Sequence, residues 1–194
     1  MTTAIIIVVV LAVVAIAAFF LLRGRTAGGG GLRRRFGPEY DRVLARHDGD
    51  TKAAELELGE RVKQHGNLEE RPLTEEARTR YAARWASAQA LFVESPQRSL
   101  AEADTLLADL SRERGFPEGE SFEDRTDALS VHHASHVEGY RRVHSARSGE
   151  GSTEQMREAL VEARELFDAL LADGSSRREH GQGNHSMVKG LRTS

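Results

Sequence analysis

Nineteen consecutive apolar residues, AIIIVVVLAVVAIAAFFLL from Ala4 to Leu22, constrain this chain more than any other feature. At the helical rise the run is about 28 Å long, close to the hydrocarbon thickness of a bilayer. A helix that is apolar on every face must be covered all round. The polar remainder of a 194-residue chain is too small to do that, so the run predicts a single transmembrane helix over residues 4–22. A cleaved signal peptide is the competing reading, because Ala15-Ile16-Ala17 has the small-x-small pattern of a cleavage site. Against cleavage, the leading MTT carries no Lys or Arg, and the apolar run continues for five residues past Ala17.

Charge sets the expected orientation. Basic residues translocate poorly and stay on the cytoplasmic side. Arg23, Arg25, Arg33, Arg34 and Arg35 all follow the run and none precedes it. The expectation is a cell-membrane protein with its N-terminus outside and its C-terminal domain in the cytoplasm. The same five arginines are candidate contacts to anionic lipid headgroups, each contributing about 1 kcal/mol near the surface. The net charge of −3 hides a sorting along the chain: residues 36–172 hold 18 Lys+Arg against 28 Asp+Glu. A basic collar on an acidic body argues against nucleic acid as a partner. The absence of cysteine excludes disulfides, thiolate catalysis and cysteine-ligated metals.

Residues 23–35 read as a Gly/Arg-rich juxtamembrane linker, with Gly28–Gly31 as a flexible hinge. Residues 36–172 then read as helical in almost every window. Pro38 opens a short helix that Gly49 interrupts, and Asp50 caps TKAAELELGERVKQH. Thr74 caps the helix carrying Tyr81, Trp85, Ala88 and Phe92, which share one face. Ser95-Pro96 is a cap followed by a first-turn proline, leading into the stripe Leu100, Ala103, Leu107 and Leu110. Ser121 opens a short helix with Phe122 and Leu129, and Val137, Tyr140 and Val143 mark another. Ser152 and Gln155 form a capping box ahead of Met156, Leu160, Ala163, Phe167, Leu170 and Leu171.

Strand signals are nearly absent, so the predicted class is all-α: a small antiparallel helical bundle. Its core is expected on the 74–94, 96–114 and 152–172 helices, with Trp85, Phe92, Leu107 and Phe167 central. Residues 173–194 lack an apolar period and read as a disordered tail.

Few residues suggest chemistry. His132 and His136, spaced i and i+4 in HHASH, would face the same way on a helix and could share a metal, with Glu138 or Asp127 completing the set. The pattern is not HExxH, no third ligand has a diagnostic spacing, and a solvent-exposed or helix-capping histidine cluster is the commoner explanation. Carboxylate pairs such as Glu69-Glu70, Glu75-Glu76 and Glu123-Asp124 read as a solvated helix surface, Glu76 pairing with Arg80, and no acid lies inside an apolar stripe. The GGGG segment follows no strand and offers no dinucleotide loop. Catalytic residues, a cofactor and a committed metal site are therefore not expected.

The stretches LRRRFGPEYDRVL and ERPLTEEARTRYAARWASAQALFVESPQRSLAEADTLL resemble a group of actinobacterial proteins that carry an N-terminal hydrophobic segment and a helical domain. The resemblance covers roughly Leu32 to Leu171. It implies the same architecture and adds no catalytic residue. The reading is a single-pass membrane-anchored helical domain, not an enzyme, that acts as a protein-interaction or adaptor module for an unidentified protein partner. Two alternatives stay open: a metal- or small-ligand-binding, sensory domain built on the histidine cluster, and an extracytoplasmic or secreted helical domain.

Overall fold

A computed structural model describes residues 30–119, 121–148 and 151–172. Every regular element among them is a helix, and the protein is all-α. The segments 4–22 and 173–194, expected as a transmembrane helix and a disordered tail, lie outside the described residues. So do Arg23 and Arg25. Among the described residues, no helix is long and apolar enough to cross a membrane. The chain divides into two compact units, Met1–Glu60 and Arg61–Ser194.

In the first unit, residues 30–36 are helical. Gly30 and Gly31, expected within a hinge, are therefore part of a helix, and residues 30–35 of the expected linker are ordered as one turn and a half. Local propensity misled here: glycine costs about 1 kcal/mol in a helix but does not forbid one, and the buried Phe36 anchors this segment. Gly37 breaks the helix at a positive φ of 51°, and Pro38 opens α1 (Pro38–Arg46) at its first turn. The α1 C-terminus closes with Gly49 N–H donating to Leu44 O at 2.9 Å and Asp48 N–H to Ala45 O at 3.1 Å. That is a Schellman arrangement, with Asp48 in the left-handed region at φ 52°. The side chain of Asp50 then accepts from Lys52 N–H at 2.9 Å and Ala53 N–H at 3.2 Å, starting α2 (Thr51–His65). The buried apolar residues of this unit are Phe36, Tyr40, Val43, Ala54 and Leu58, and the last turn of α2, from Arg61, belongs to the second unit.

The second unit holds α3 (Glu75–Leu91), α4 (Pro96–Glu113), α5 (Phe122–His133), α6 (Val137–Ala146) and α7 (Thr153–Leu171). Thr74 Oγ1 caps α3 by accepting from Ala77 N–H at 3.1 Å. Ser152 and Gln155 form the expected capping box on α7, and Ser121 forms another with Asp124 on α5. Ser95 precedes α4 as expected, but its side chain makes no cap hydrogen bond; Pro96 supplies the start instead.

Cross-helix pairs give the register. Ser99 Oγ donates to Ala88 O at 2.6 Å and Tyr81 OH to Glu113 at 2.7 Å, which sets α3 and α4 antiparallel. Trp85 stacks on Phe167 with centroids 4.6 Å apart while Arg164 donates to Gln89, so α7 also runs antiparallel to α3. The expected stripe residues Trp85, Leu107 and Phe167 are buried in one core. Phe92 is only half-buried at its edge, because α3 ends at Leu91 and Phe92 is its C-cap. The core is also wider than three helices. Leu129, Val137, Tyr140 and Val143 are fully buried, and the closest pairing of the bundle is α6 on α7. Gly139 allows it: a Cβ there would lie 2.5 to 2.6 Å from backbone atoms of Glu162 and Ala163. A three-residue apolar stripe on a ten-residue helix understates such a contact, since the closest-packed residue has no side chain.

Candidate functional site

The arginine collar is partly tied into the domain. Arg33 reaches Asp41 at 3.3 Å and lies 5.7 Å from the Tyr40 ring centroid. Arg35 lies 6.0 Å from the Phe36 ring. Arg34 is exposed, with no hydrogen-bond, ion-pair or ring partner among the described residues. Three guanidinium groups adjacent in sequence thus have different surroundings, because successive residues on a helix point about 100° apart.

The histidine cluster does not converge. α5 ends at His133, residues 134–136 form a turn, and α6 begins at Val137, so His132 and His136 do not share a helix face. His132 Nε2 sits 2.8 Å from the carbonyl of His65, His133 Nε2 lies 3.1 Å from Glu70, and His136 Nδ1 is 3.3 Å from Glu165. The two acids expected to complete a metal set are engaged apart from them. Asp127 lies 2.8 Å from Arg61 Nη2, and Glu138 lies 3.7 Å from Arg142. Among the described residues, no group of three or more His, Cys, Asp or Glu side chains is placed to hold a metal ion.

The structure corrects the view of the carboxylates as a uniformly solvated surface. Glu39 is buried beside Tyr40 and Val43 in α1 and accepts from Arg42 Nε at 3.1 Å. Glu70, in the connection 66–74, takes Arg114 Nη2 at 2.5 Å on one oxygen and faces His133 with the other. Arg114 itself is buried; its Nη1 donates to Arg71 O at 2.5 Å, and its carbonyl accepts from Arg71 N–H at 2.8 Å. The connection is thereby strapped to the C-terminal end of α4. Burial raises the Glu70 pKa, but hydrogen bonding and charge from His133 and Arg114 outweigh it and hold the carboxyl down at about 2. Phe116 closes the same region, its ring 5.7 Å from those of both His132 and His133.

Two further acids act in the same way. Asp104 on α4 meets His144 Nδ1 at 2.9 Å and Arg147 Nε at 3.6 Å, joining α4 to the end of α6. Asp127 lies between Arg61 and Arg141, while Arg61 Nη1 donates to Ser130 Oγ at 3.1 Å. Helical periodicity cannot reveal these sets. Glu70 lies in a connection, and each of the other acids shares its helix with exposed acids. The expected pairing of Glu76 with Arg80 is replaced by Arg80 with Glu113 on the neighbouring helix at 3.3 Å.

Several open clefts lie among the described residues. One of about 470 Å³ runs between α3 and α4 over Ala83, Ala88, Leu91 and Leu106, with Arg84 and Glu102 at its rim. A more polar one of about 560 Å³ lies between α6 and α7 beside Glu138, Arg142 and Glu158. The polar one also includes the buried Arg141, and a third of about 390 Å³ is lined by Arg61, His65, Asp124 and Asp127, of which Arg61 and Asp127 pair with each other at 2.8 Å. The chain matches no protein-family model, no curated protein and no solved structure.

Proposed function

We propose that this protein is a single-pass membrane-anchored helical domain acting as a non-enzymatic interaction or adaptor module at the membrane surface. The observation that carries the reading is the nineteen-residue apolar run, with only seven residues between its end and the first described helical residue, Gly30. An anchor joined so closely to a domain keeps that domain at the bilayer. The ionisable groups support the non-enzymatic part. Glu70, Asp104 and Asp127, and the histidines His132, His133 and His144, are committed to contacts that join one segment of the domain to another.

The arginines that follow the run favour a cytoplasmic domain with the N-terminus outside. Protease added to intact cells tests this: an intact domain in the membrane fraction is expected, digested only after the cells are opened. Removal of the domain from intact cells, or its recovery in the medium, would replace this reading with an extracytoplasmic one. Affinity capture of the full chain from solubilised membranes is expected to retain a specific protein partner. Capture of nothing above background, with the domain folded, counts against an adaptor.

A further inference from the structure

We infer that within the arginine run 33–35 it is Arg34 that binds an anionic lipid surface, an inference that rests on the anchor reading above. On the helical stretch 30–36, Phe36 is buried and Leu32 half-buried, which defines the side turned to the domain. At 100° per residue Arg34 stands about 160° from both of them, on the opposite side. Arg33 and Arg35 each flank the buried side, at about 60° from Phe36 and Leu32 respectively. Their contacts agree with this placement: Arg33 turns back to Asp41 and Tyr40, and Arg35 lies against Phe36 and has a further interaction within the chain. Beside Arg34 the outward side is formed by Gly30 and Gly31, which have no side chain to screen its guanidinium.

Tether length brings that side to the lipid. From Leu22 to Gly30 there are eight Cα–Cα steps, at most about 28 Å of chain. Attraction between an exposed cation and an anionic surface fades over a Debye length of roughly 8 Å at physiological salt. The tether therefore permits both a docked state, with Arg34 at the headgroup phosphates, and an undocked one. Lipid charge decides between them. Exchanging Arg33 removes an exposed charge already paired with Asp41 at 3.3 Å, whereas exchanging Arg34 removes the charge on the outward side.

The chain has no cysteine, so a single thiol can be placed at will. Gly31 is exposed, and a Cβ there meets nothing within 4 Å, which makes Gly31→Cys a benign labelling site on the outward side. The full chain carrying an environment-sensitive fluorophore at this position is reconstituted into vesicles of phosphatidylcholine alone or mixed with phosphatidylglycerol. Both contain a headgroup-linked quencher. The expected result is co-flotation with both vesicles and stronger quenching in the anionic ones. Arg34→Gln lowers the docked-to-undocked ratio about five-fold, the equivalent of ~1 kcal/mol per basic residue, and Arg33→Gln, whose charge is shared with Asp41, lowers it less. Equal quenching in the two lipids, or a ratio insensitive to Arg34→Gln, overturns the assignment while leaving the anchor intact. Failure to co-float with either vesicle overturns the anchor itself.

Discussion

Replacing Gly139 by alanine adds one methyl group where α6 meets α7. Its Cβ would lie 2.5 Å from the carbonyl carbon of Glu162, 2.6 Å from Ala163 N and 2.6 Å from Glu162 O. All three atoms are α7 backbone, so no rotamer change relieves the overlap. Carbon contacts are favourable at about 3.5 Å, so the helices must separate by about 1 Å. A gap of that size forfeits roughly a quarter to a half of the attraction at each contact, and Val137, Tyr140 and Val143 on α6 are all fully buried. Overpacking of this kind costs about 3 kcal/mol at the upper end of its usual range. Alanine recovers about 1 kcal/mol through its better helix propensity. The expected net loss is about 2 kcal/mol. Urea unfolding of the purified chain reads it through Trp85, the only tryptophan, which is buried against Phe167. Gly59 in α2 serves as the contrast. A Cβ there meets nothing within 4 Å, so Gly59→Ala should stabilise by about 0.5–1 kcal/mol in far-UV circular dichroism. A Gly139→Ala chain as stable as the parent would refute the close approach of α6 to α7.

The ionisable groups give the remaining predictions. Glu70→Gln leaves Arg114 buried without its carboxylate, and a loss on the order of 2 kcal/mol is expected near neutral pH, reduced from a fully buried pair by solvent screening. Because the folded carboxyl titrates at about 2 against an ordinary 4.5, its contribution is present above 4.5 and fades as the pH falls to about 2. Denaturation curves of parent and variant should therefore converge over that window; a gap unchanged at low pH would sink the argument. Burial, and for Tyr81 the neighbouring Glu113, raises the Tyr81 and Tyr140 phenols to about 12. Tyrosinate absorbance from these two should stay absent through pH 10–11 while the chain is folded, and stability should fall over pH 10–12, where unfolded phenols ionise first. Early ionisation of all three tyrosines in the folded chain would contradict this. Phe167→Ala removes the ring stacked on Trp85 and should cost about 3–4 kcal/mol, with a red shift in Trp85 emission as the measurable sign.

Much of the domain was legible in one dimension because its signals are local. A cap acts over three residues and a helix stripe over seven, so Thr74, Ser121, Ser152 and the faces of Trp85, Leu107 and Phe167 show in the sequence as they stand in the structure. Where local rules compete, the reading slipped. Four glycines outweighed the anchoring effect of Phe36, so residues 30–31 looked like hinge rather than helix. An i, i+4 spacing placed His132 and His136 together, but that holds only if one helix runs through both, and the turn at 134–136 separates them.

The sequence by itself determined the helical class, the caps and stripes that delimit most of its helices, and the expectation of a membrane anchor, since each depends on neighbours a few residues away. Only the tertiary structure decided the partners of the charged groups. Glu70 meets Arg114 and His133, Asp104 meets His144, and Asp127 meets Arg61, each across a separation of forty residues or more. It also decided that α6 and α7 approach through a glycine, and that of three adjacent exposed arginines Arg34 is the one on the side opposite the buried Phe36. Charge and close packing act through space, and the distances that govern them exist only once the chain has folded.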